Sequence, residues 1–232
     1  MRRLYLRATT QPVKTNRMPK RSPVHAGATD TAATLLPARP TLASLRASAA
    51  GCRACPLWAR GTQTVFGAGP RTAALVLVCE QPGNDEDLAG LPFVGPAGRL
   101  LDQALGEAGI DRARVYVTNV VKHFKWEPHG RRRIHQKPNA REIAACRPWL
   151  DAELAVIRPR VLVCLGATAA QALLGAGFRV SRQRGVWVPS PLAPRVMATV
   201  HPSAVLRAPD DETRRAETAR LVADLRKAAR VL

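Results

Sequence analysis

The sequence predicts an α/β protein with three layers (α/β/α) around a central, mostly parallel four-stranded sheet. Apolar runs rich in β-branched residues lie at 74–79, 115–121, 161–165 and 195–200. Amphipathic stretches lie between or after them, at about 97–109, 139–157, 167–175 and 211–230. Continuous apolar strands that alternate with helices are typical of a parallel sheet covered on both faces.

The ends of the remaining elements and of the domain are predicted from the positions of proline and glycine and from composition. Pro159 and Gly166 bracket the third strand, and residues 42–58 are predicted to form a helix that ends at a pair of cysteines. Residues 1–41 carry eight basic residues against one acidic residue, contain five prolines and show little apolar periodicity. We expect a disordered basic tail at 1–41 and one folded domain at 42–232.

The charge of the chain favours a polyanionic partner. The formal net charge is +19, and most of that excess lies outside the tail. Nucleic acid is the simplest such partner, although a generally basic proteome would give the same composition. No segment is apolar enough for a membrane span or a signal peptide, so we expect a cytoplasmic, nucleoid-associated bacterial protein that is a monomer.

Polar residues follow each predicted strand, where parallel sheets bind their ligands. They are residues 80–87 after the first strand, 118–123 at the second, 166–168 after the third and 201–203 after the fourth. A dinucleotide site would need a glycine-rich phosphate loop after the first strand, but three acidic residues at 85–87 would repel phosphate. The sequence therefore argues against a dinucleotide-binding fold.

The five cysteines include one informative pair, Cys52 and Cys55. Two intervening residues allow both thiolates to reach one metal centre, so the pair on its own is half of a zinc site or a redox pair. Cys79 and Cys164 lie in apolar runs and are predicted to be plain buried thiols.

A basic run ending in histidine, residues 131–135, lies in a predicted loop. Guanidinium groups bind phosphate oxygens, and imidazole is suited to proton transfer or nucleophilic attack near neutral pH. Without other observations, the run is equally well a solvated basic loop.

Six ordered motifs together resemble the uracil-DNA glycosylase superfamily, in particular its iron–sulfur family 4 and the X-type (UdgX) branch. They are Cys52-x-x-Cys55 and residues 80–83, 92–98, 118–122, 146–150 and 201–203. The resemblance covers about 42–230, and residues 131–135 resemble the arginine-rich loop of the X-type branch. It implies a uracil-DNA glycosylase-like fold and a partner that is uracil-containing DNA, with single strands expected to be preferred.

The resemblance also implies a pocket for an extruded uracil. Asn119 would pair with the uracil edge, Phe93 would stack on the ring, and His201 would donate toward O2 of the leaving base. Gln81 would help to line the pocket. Glu86 would crowd the 5-methyl group of thymine, although Asp85 and Asp87 are alternatives for that position.

The resemblance implies two possible reactions. Glu80 is the catalytic carboxylate near C1′ of the deoxyribose, and in family 4 it would position or activate water. In the X-type branch His135 would attack C1′ instead, with Glu80 orienting or deprotonating it, so that the enzyme stays covalently bound to the DNA. The alternatives are a conventional multi-turnover family 4 enzyme and a non-catalytic module that binds uracil-DNA.

Contacts to DNA and to a cofactor complete the expectations. The expected DNA contacts are Lys122, Arg131, Arg132, Arg133, Ser203 and Arg207. The resemblance also implies a 4Fe–4S cluster held by Cys52, Cys55, Cys146 and His123. Histidine here stands where family 4 enzymes carry cysteine, and imidazole does ligate some iron–sulfur centres.

Overall fold

A computed structural model of the protein describes residues 31–232 and shows a three-layer α/β/α arrangement. The central sheet contains β1 (Leu75–Cys79), β2 (Val115–Asn119), β5 (Val161–Leu165) and β6 (Arg195–Thr199). These strands lie in the order β2-β1-β5-β6, and every neighbouring pair is parallel. The predicted four-stranded sheet is confirmed.

Eight helices accompany the strands within the described residues. They are α1 (Leu42–Ala49), α2 (Asn84–Ala89), α3 (Pro96–Glu107), α4 (Ala140–Ile157), α5 (Ala167–Leu174), α6 (Val180–Gln183), α7 (Pro202–Leu206) and α8 (Asp211–Ala229). None of the described helices is long and apolar enough to cross a membrane. The predicted start of α4 is explained by its N-cap, because the Asn139 side chain accepts a hydrogen bond from the backbone N–H of Glu142.

The sheet is covered on both faces by apolar side chains. On one face, alternate strand residues such as Leu77 and Val163 pack with α3 and α8, including Leu101 and Leu225. The other face packs with α4 and α5. Because successive strand residues point to opposite faces, strands buried on both sides must be apolar at every position, as the sequence predicted.

Residues before the predicted boundary at residue 42 belong to the folded domain. Residues 1–30 of the predicted tail lie outside the described residues. Residues Ala32–Leu35 form a 3-10 turn in which Ala32 is fully buried against α1 and α4. The tail prediction is therefore wrong for the segment around Ala32, whose methyl group belongs to the core. The predicted helix over 42–58 also ends earlier, at Ala49, and a 3-10 turn at Pro56–Ala59 follows the cysteine pair.

The predicted loop over 131–135 is a β-hairpin. Strands β3 (Trp126–His129) and β4 (Arg132–His135) pair in antiparallel register, with Trp126 opposite His135. Gly130 opens the two-residue turn with φ +59°, a conformation that glycine adopts without steric cost. The sequence signal that could have revealed this hairpin is the glycine between two short extended segments.

Candidate active site

The candidate active site is a cavity of about 600 Å³ at the carboxyl ends of the strands. It lies where the strand order reverses between β1 and β5, the place at which open α/β sheets bind ligands. All the predicted catalytic and pocket residues line it, namely Glu80, Gln81, Glu86, Phe93, Asn119, His135 and His201. The tertiary structure thus brings together residues that span more than half of the chain.

Glu80 lies directly after β1 and faces two partners. The hydroxyl of Thr168 donates to Oε2, and Oε1 lies 3.0 Å from Nε2 of His135. The angles at the histidine contact are not those of a well-formed hydrogen bond, so the buried Oε1 lacks an aligned donor. Burial raises the pKa of Glu80, but the contacts with His135 and Thr168 outweigh it and lower the pKa overall. Glu80 is therefore a carboxylate beside an imidazole.

His201 is held so that one ring nitrogen is free for a ligand. Its Nδ1 accepts from the backbone N–H of Ser203 at 3.1 Å, and the Ser203 hydroxyl lies 2.8 Å from the same nitrogen. Burial lowers the pKa of His201 to about 4, so the ring is neutral near pH 7. A neutral imidazole that accepts at Nδ1 carries its proton on Nε2. His201 can therefore donate a hydrogen bond into the cavity.

Asn119, at the end of β2, has an unused amide oxygen. Its side chain is 2% exposed, and Oδ1 is buried without a hydrogen-bond partner. Buried polar atoms without partners are rare because they lose hydration without compensation. An N–H group of a ligand would satisfy this atom, as the N3–H of uracil would.

Phe93 adopts a strained backbone conformation at the cavity wall. Its φ is +61°, in the left-handed region that bulky residues rarely occupy. The first turn of α3 presses against it so closely that a Cβ on Gly98 would lie 1.8 Å from the Phe93 carbonyl oxygen. The Phe93 ring lies 5.8 Å from that of His201. Strain of this kind persists where the surrounding structure holds a side chain in a functional position.

Among the three candidate acidic residues, only Glu86 lines the cavity. Its Oε2 accepts from the Gly83 backbone N–H at 3.1 Å, and its Oε1 accepts from the Gly95 N–H at 2.9 Å. Glu86 thus ties the loop that carries Glu80 to the loop that carries Phe93. Asp87 is fully buried and faces away from the cavity, toward Thr62 and Arg133.

Arg133 anchors the hairpin instead of projecting toward DNA. Its Nη1 lies 2.6 Å from Oδ2 of Asp87, and its Nε donates to Asn84 Oδ1 at 2.8 Å. The guanidinium also lies over the rings of Phe124 and Trp126. The DNA contact predicted for Arg133 stays a prediction, and the structure gives its guanidinium intramolecular partners instead. Arg131 and Arg132 are exposed and remain candidates for DNA contacts.

Lys122 is also not a DNA contact, because it is 1% exposed in the core. Its Nζ lies 2.5 Å from Oε2 of Glu153 and also donates to Thr118 Oγ1 and to the Asn119 carbonyl. Glu153 was not among the predicted residues, and its carboxylate also accepts a hydrogen bond from the Tyr116 hydroxyl at 2.8 Å. An acidic residue on the apolar face of α4 was the signal for a buried ion pair. Of the other predicted contacts, Ser203 and Arg207 line the cavity.

The predicted cluster ligands lie in a buried patch beside α4. Cys52, Cys55 and Cys146 belong to the same cluster of buried side chains. Trp149 Nε1–H donates to Cys52 Sγ at 3.3 Å, and the Lys122 backbone N–H donates to Cys146 Sγ at 3.2 Å. N–H groups aimed at sulfur stabilise thiolates that bind iron.

Burial raises the pKa of the Cys55 thiol to about 11 and that of the Cys146 thiol to about 12, so bound iron would have to displace their protons. Within residues 31–232, no three His, Cys, Asp or Glu side chains converge on a single metal ion. A cluster of four irons spaces its ligands more widely than one ion does, and three buried thiols with N–H groups donating to two of them are a suitable donor set for it. His123 Nε2 lies 2.9 Å from the Thr64 hydroxyl, which leaves Nδ1 for a ligand.

Comparison with known proteins shows which family the chain resembles. The model of the uracil DNA glycosylase superfamily matches residues 66–226. A type-4 uracil-DNA glycosylase of Thermotoga maritima is 41% identical over 165 residues, which cover 71% of this chain and 82% of the relative. One of Archaeoglobus fulgidus is 40% identical over 168 residues, covering 68% and 79%. A type-5 uracil-DNA glycosylase of Thermus thermophilus is 32% identical over 164 residues, covering 64% and 71%.

The family match covers the whole sheet and every residue that lines the cavity, and the cavity brings together carboxylate, amide, aromatic and imidazole side chains. The chain therefore belongs to the uracil-DNA glycosylase superfamily.

Proposed function

We propose that the protein excises uracil from DNA and then remains bound to the abasic deoxyribose through a covalent bond from His135 to C1′. The observation that carries this proposal is the position of His135. Its Nε2 lies 3.0 Å from Glu80 Oε1 at the cavity wall, and the hairpin that carries it is tied to the body of the domain by the ion pair of Arg133 with Asp87. A nucleophile beside an orienting carboxylate is the usual arrangement for covalent catalysis.

Excision would use the groups around the flipped base. The bond between uracil N1 and C1′ breaks, and the base leaves with the electron pair. Hydrogen bonds from His201 Nε2–H stabilise the charge on the base, while Asn119 Oδ1 accepts from its N3–H. The negative charge of Glu80 stabilises the cation that forms on the sugar.

Capture of the sugar would follow from the geometry of His135. Nε2 forms the new bond to C1′ as its proton passes to Glu80 and from there to solvent, while the departed uracil anion takes a proton from solvent. Because an alkylated imidazole is a poor leaving group, the enzyme would act once and stay attached.

Cys52, Cys55, Cys146 and His123 are the residues that would hold a 4Fe–4S cluster. Such a cluster would act structurally when bound, since it joins segments that lie on either side of the hairpin. The backbone carbonyl of Arg60, just beyond the cysteine pair, accepts a hydrogen bond from Trp126 Nε1 at 2.9 Å. This segment therefore contacts the first strand of the hairpin directly.

The test is a denaturing gel of the protein with a labelled single-stranded oligonucleotide that contains one uracil. A heat-stable, slowly migrating band that is lost in His135→Ser supports the proposal. His129→Ser is the matched control, because His129 is an exposed histidine at the other end of the same hairpin.

Two other outcomes would refute the covalent step. Release of many equivalents of uracil without a band would show a conventional multi-turnover glycosylase, which the type-4 names of the relatives favour. Binding without release of uracil would show a non-catalytic module. A parallel series with double-stranded DNA tests the expected preference for single strands.

A further inference from the structure

The carboxylate of Glu80 has one well-aligned hydrogen-bond donor among residues 31–232. The Thr168 hydroxyl donates to Oε2, whereas Oε1 faces His135 without an aligned hydrogen bond. The last torsion of a glutamate side chain has a broad energy profile, so the side chain itself does not fix where its two oxygens point. The bond from Thr168 therefore sets the direction of the carboxylate.

Thr168 is itself held in place by the start of α5. It lies in the first turn of that helix, it is 5% exposed, and its branched Cβ restricts χ1. The turn begins at Gly166, whose N–H donates to the Thr199 carbonyl at 2.9 Å. Gly166 has φ +91°, and a Cβ there would lie 3.0 Å from the Cβ of His201. The start of α5 is thus packed against His201 while its threonine binds Glu80.

The two steps of the proposed reaction depend differently on this bond. Stabilisation of the sugar cation needs the negative charge of Glu80, which acts over a distance and persists whichever way the carboxylate is turned. Removal of the proton from His135 needs Oε1 to face Nε2 within hydrogen-bond reach. Loss of the Thr168 bond should therefore weaken capture of the sugar more than release of uracil.

We propose that Thr168 is a positioning residue that orients the Glu80 carboxylate, so that Oε1 faces His135 and the imidazole, in place of water, captures the sugar cation. This inference rests on the proposed covalent function. Thr168 belongs to α5 and acts on the carboxylate, not on the hairpin that carries His135.

The first measurement is the partition between capture and hydrolysis in the full-length protein. Wild type, Thr168→Val and Thr168→Ser react with a uracil oligonucleotide, and the amount of covalent adduct is divided by the amount of free abasic product. Valine keeps the branched shape without the donor, so we expect the ratio to fall at least about tenfold, the effect of one hydrogen bond to a charged group. Serine keeps the hydroxyl and should restore the ratio. Thr218→Val is the control, since the Thr218 hydroxyl donates only to the Arg214 carbonyl within α8.

The second measurement is the pH dependence of single-turnover uracil release. Loss of the donor raises the pKa of Glu80, so the decline of the rate at acid pH should begin at higher pH in Thr168→Val and return to the wild-type position in Thr168→Ser. A purely structural role would lower Tm without this shift. The other ionisable groups around the carboxylate are unchanged in these variants, namely His135 of β4, His201 before α7, Glu86 of α2 and Arg207 after α7.

The outcomes separate this inference from the proposed function. Adduct in the wild type with an unaltered ratio in Thr168→Val would overturn the inference while the covalent function stands. The same conclusion would follow if Thr168→Ser behaved like Thr168→Val, because the hydroxyl would then not be the group that matters. Absence of adduct in the wild type would refute the covalent function, and the inference with it.

Discussion

The buried ion pair between Lys122 and Glu153 allows a direct test of whether Lys122 stabilises the core or contacts DNA. The two side chains are 1% and 0% exposed, and Nζ lies 2.5 Å from Oε2. Lys122→Met would leave the Glu153 carboxylate buried with neutral donors only. Removing one partner of a buried pair costs about 3–5 kcal/mol. In a chain of this size, 1 kcal/mol shifts Tm by about 2–4 °C, so we expect a fall in Tm of roughly 6–20 °C.

The assay combines thermal or urea unfolding with DNA binding at several salt concentrations. Lys122→Met should lose stability but keep the DNA affinity and salt dependence of wild type while it is folded. The double variant Lys122→Met with Glu153→Gln should recover much of the loss, because it removes the uncompensated charge. Lys137→Met is the control, as Lys137 is an exposed lysine near the hairpin. Near-wild-type stability with a salt slope reduced by about 0.7, the value for one phosphate contact on a single strand, would refute the core assignment.

Two further predictions concern the hairpin and the carboxylate. Arg133→Ala should lower adduct formation more than Arg132→Ala does, because only Arg133 ties the hairpin to buried Asp87; equal effects on adduct yield at saturating DNA would contradict the anchor. The lowered pKa of Glu80 means that its carboxylate form is lost only as pH falls below about 4.5. Single-turnover release of uracil by the wild-type protein should therefore stay level from pH 7 to 5, and a midpoint near 6 would refute this assignment.

The central sheet and the order of the site residues were predictable from local pattern. Apolar runs of about five residues are typical of parallel strands buried on both faces, and the strand bounds differ from the prediction by at most two residues. No helix was predicted directly after β1, yet residues Asn84–Ala89 form α2. Acidic residues in a first helical turn were the signal, since they interact favourably with the helix dipole.

The fates of the basic side chains were not predictable in the same way. Arg131, Arg132 and Arg133 are adjacent and chemically identical, but only Arg133 meets a buried carboxylate and two aromatic rings. Lys122 lies just after the end of β2, where residues that contact a ligand are expected. Its partner is instead Glu153, which lies 31 residues later in α4. Charge pairing across such separations depends on how α2 and α4 pack.

The sequence by itself determined the layers of the fold, the strand ends and the set of chemical groups that gather there, because hydrophobic periodicity and topology act through neighbouring residues. Only the tertiary structure decided how the basic run is used. It made the run a hairpin, turned Arg133 inward to Asp87, and brought His135 within 3.0 Å of Glu80. Those contacts join elements distant in the chain, and their geometry is set by packing that no local pattern records.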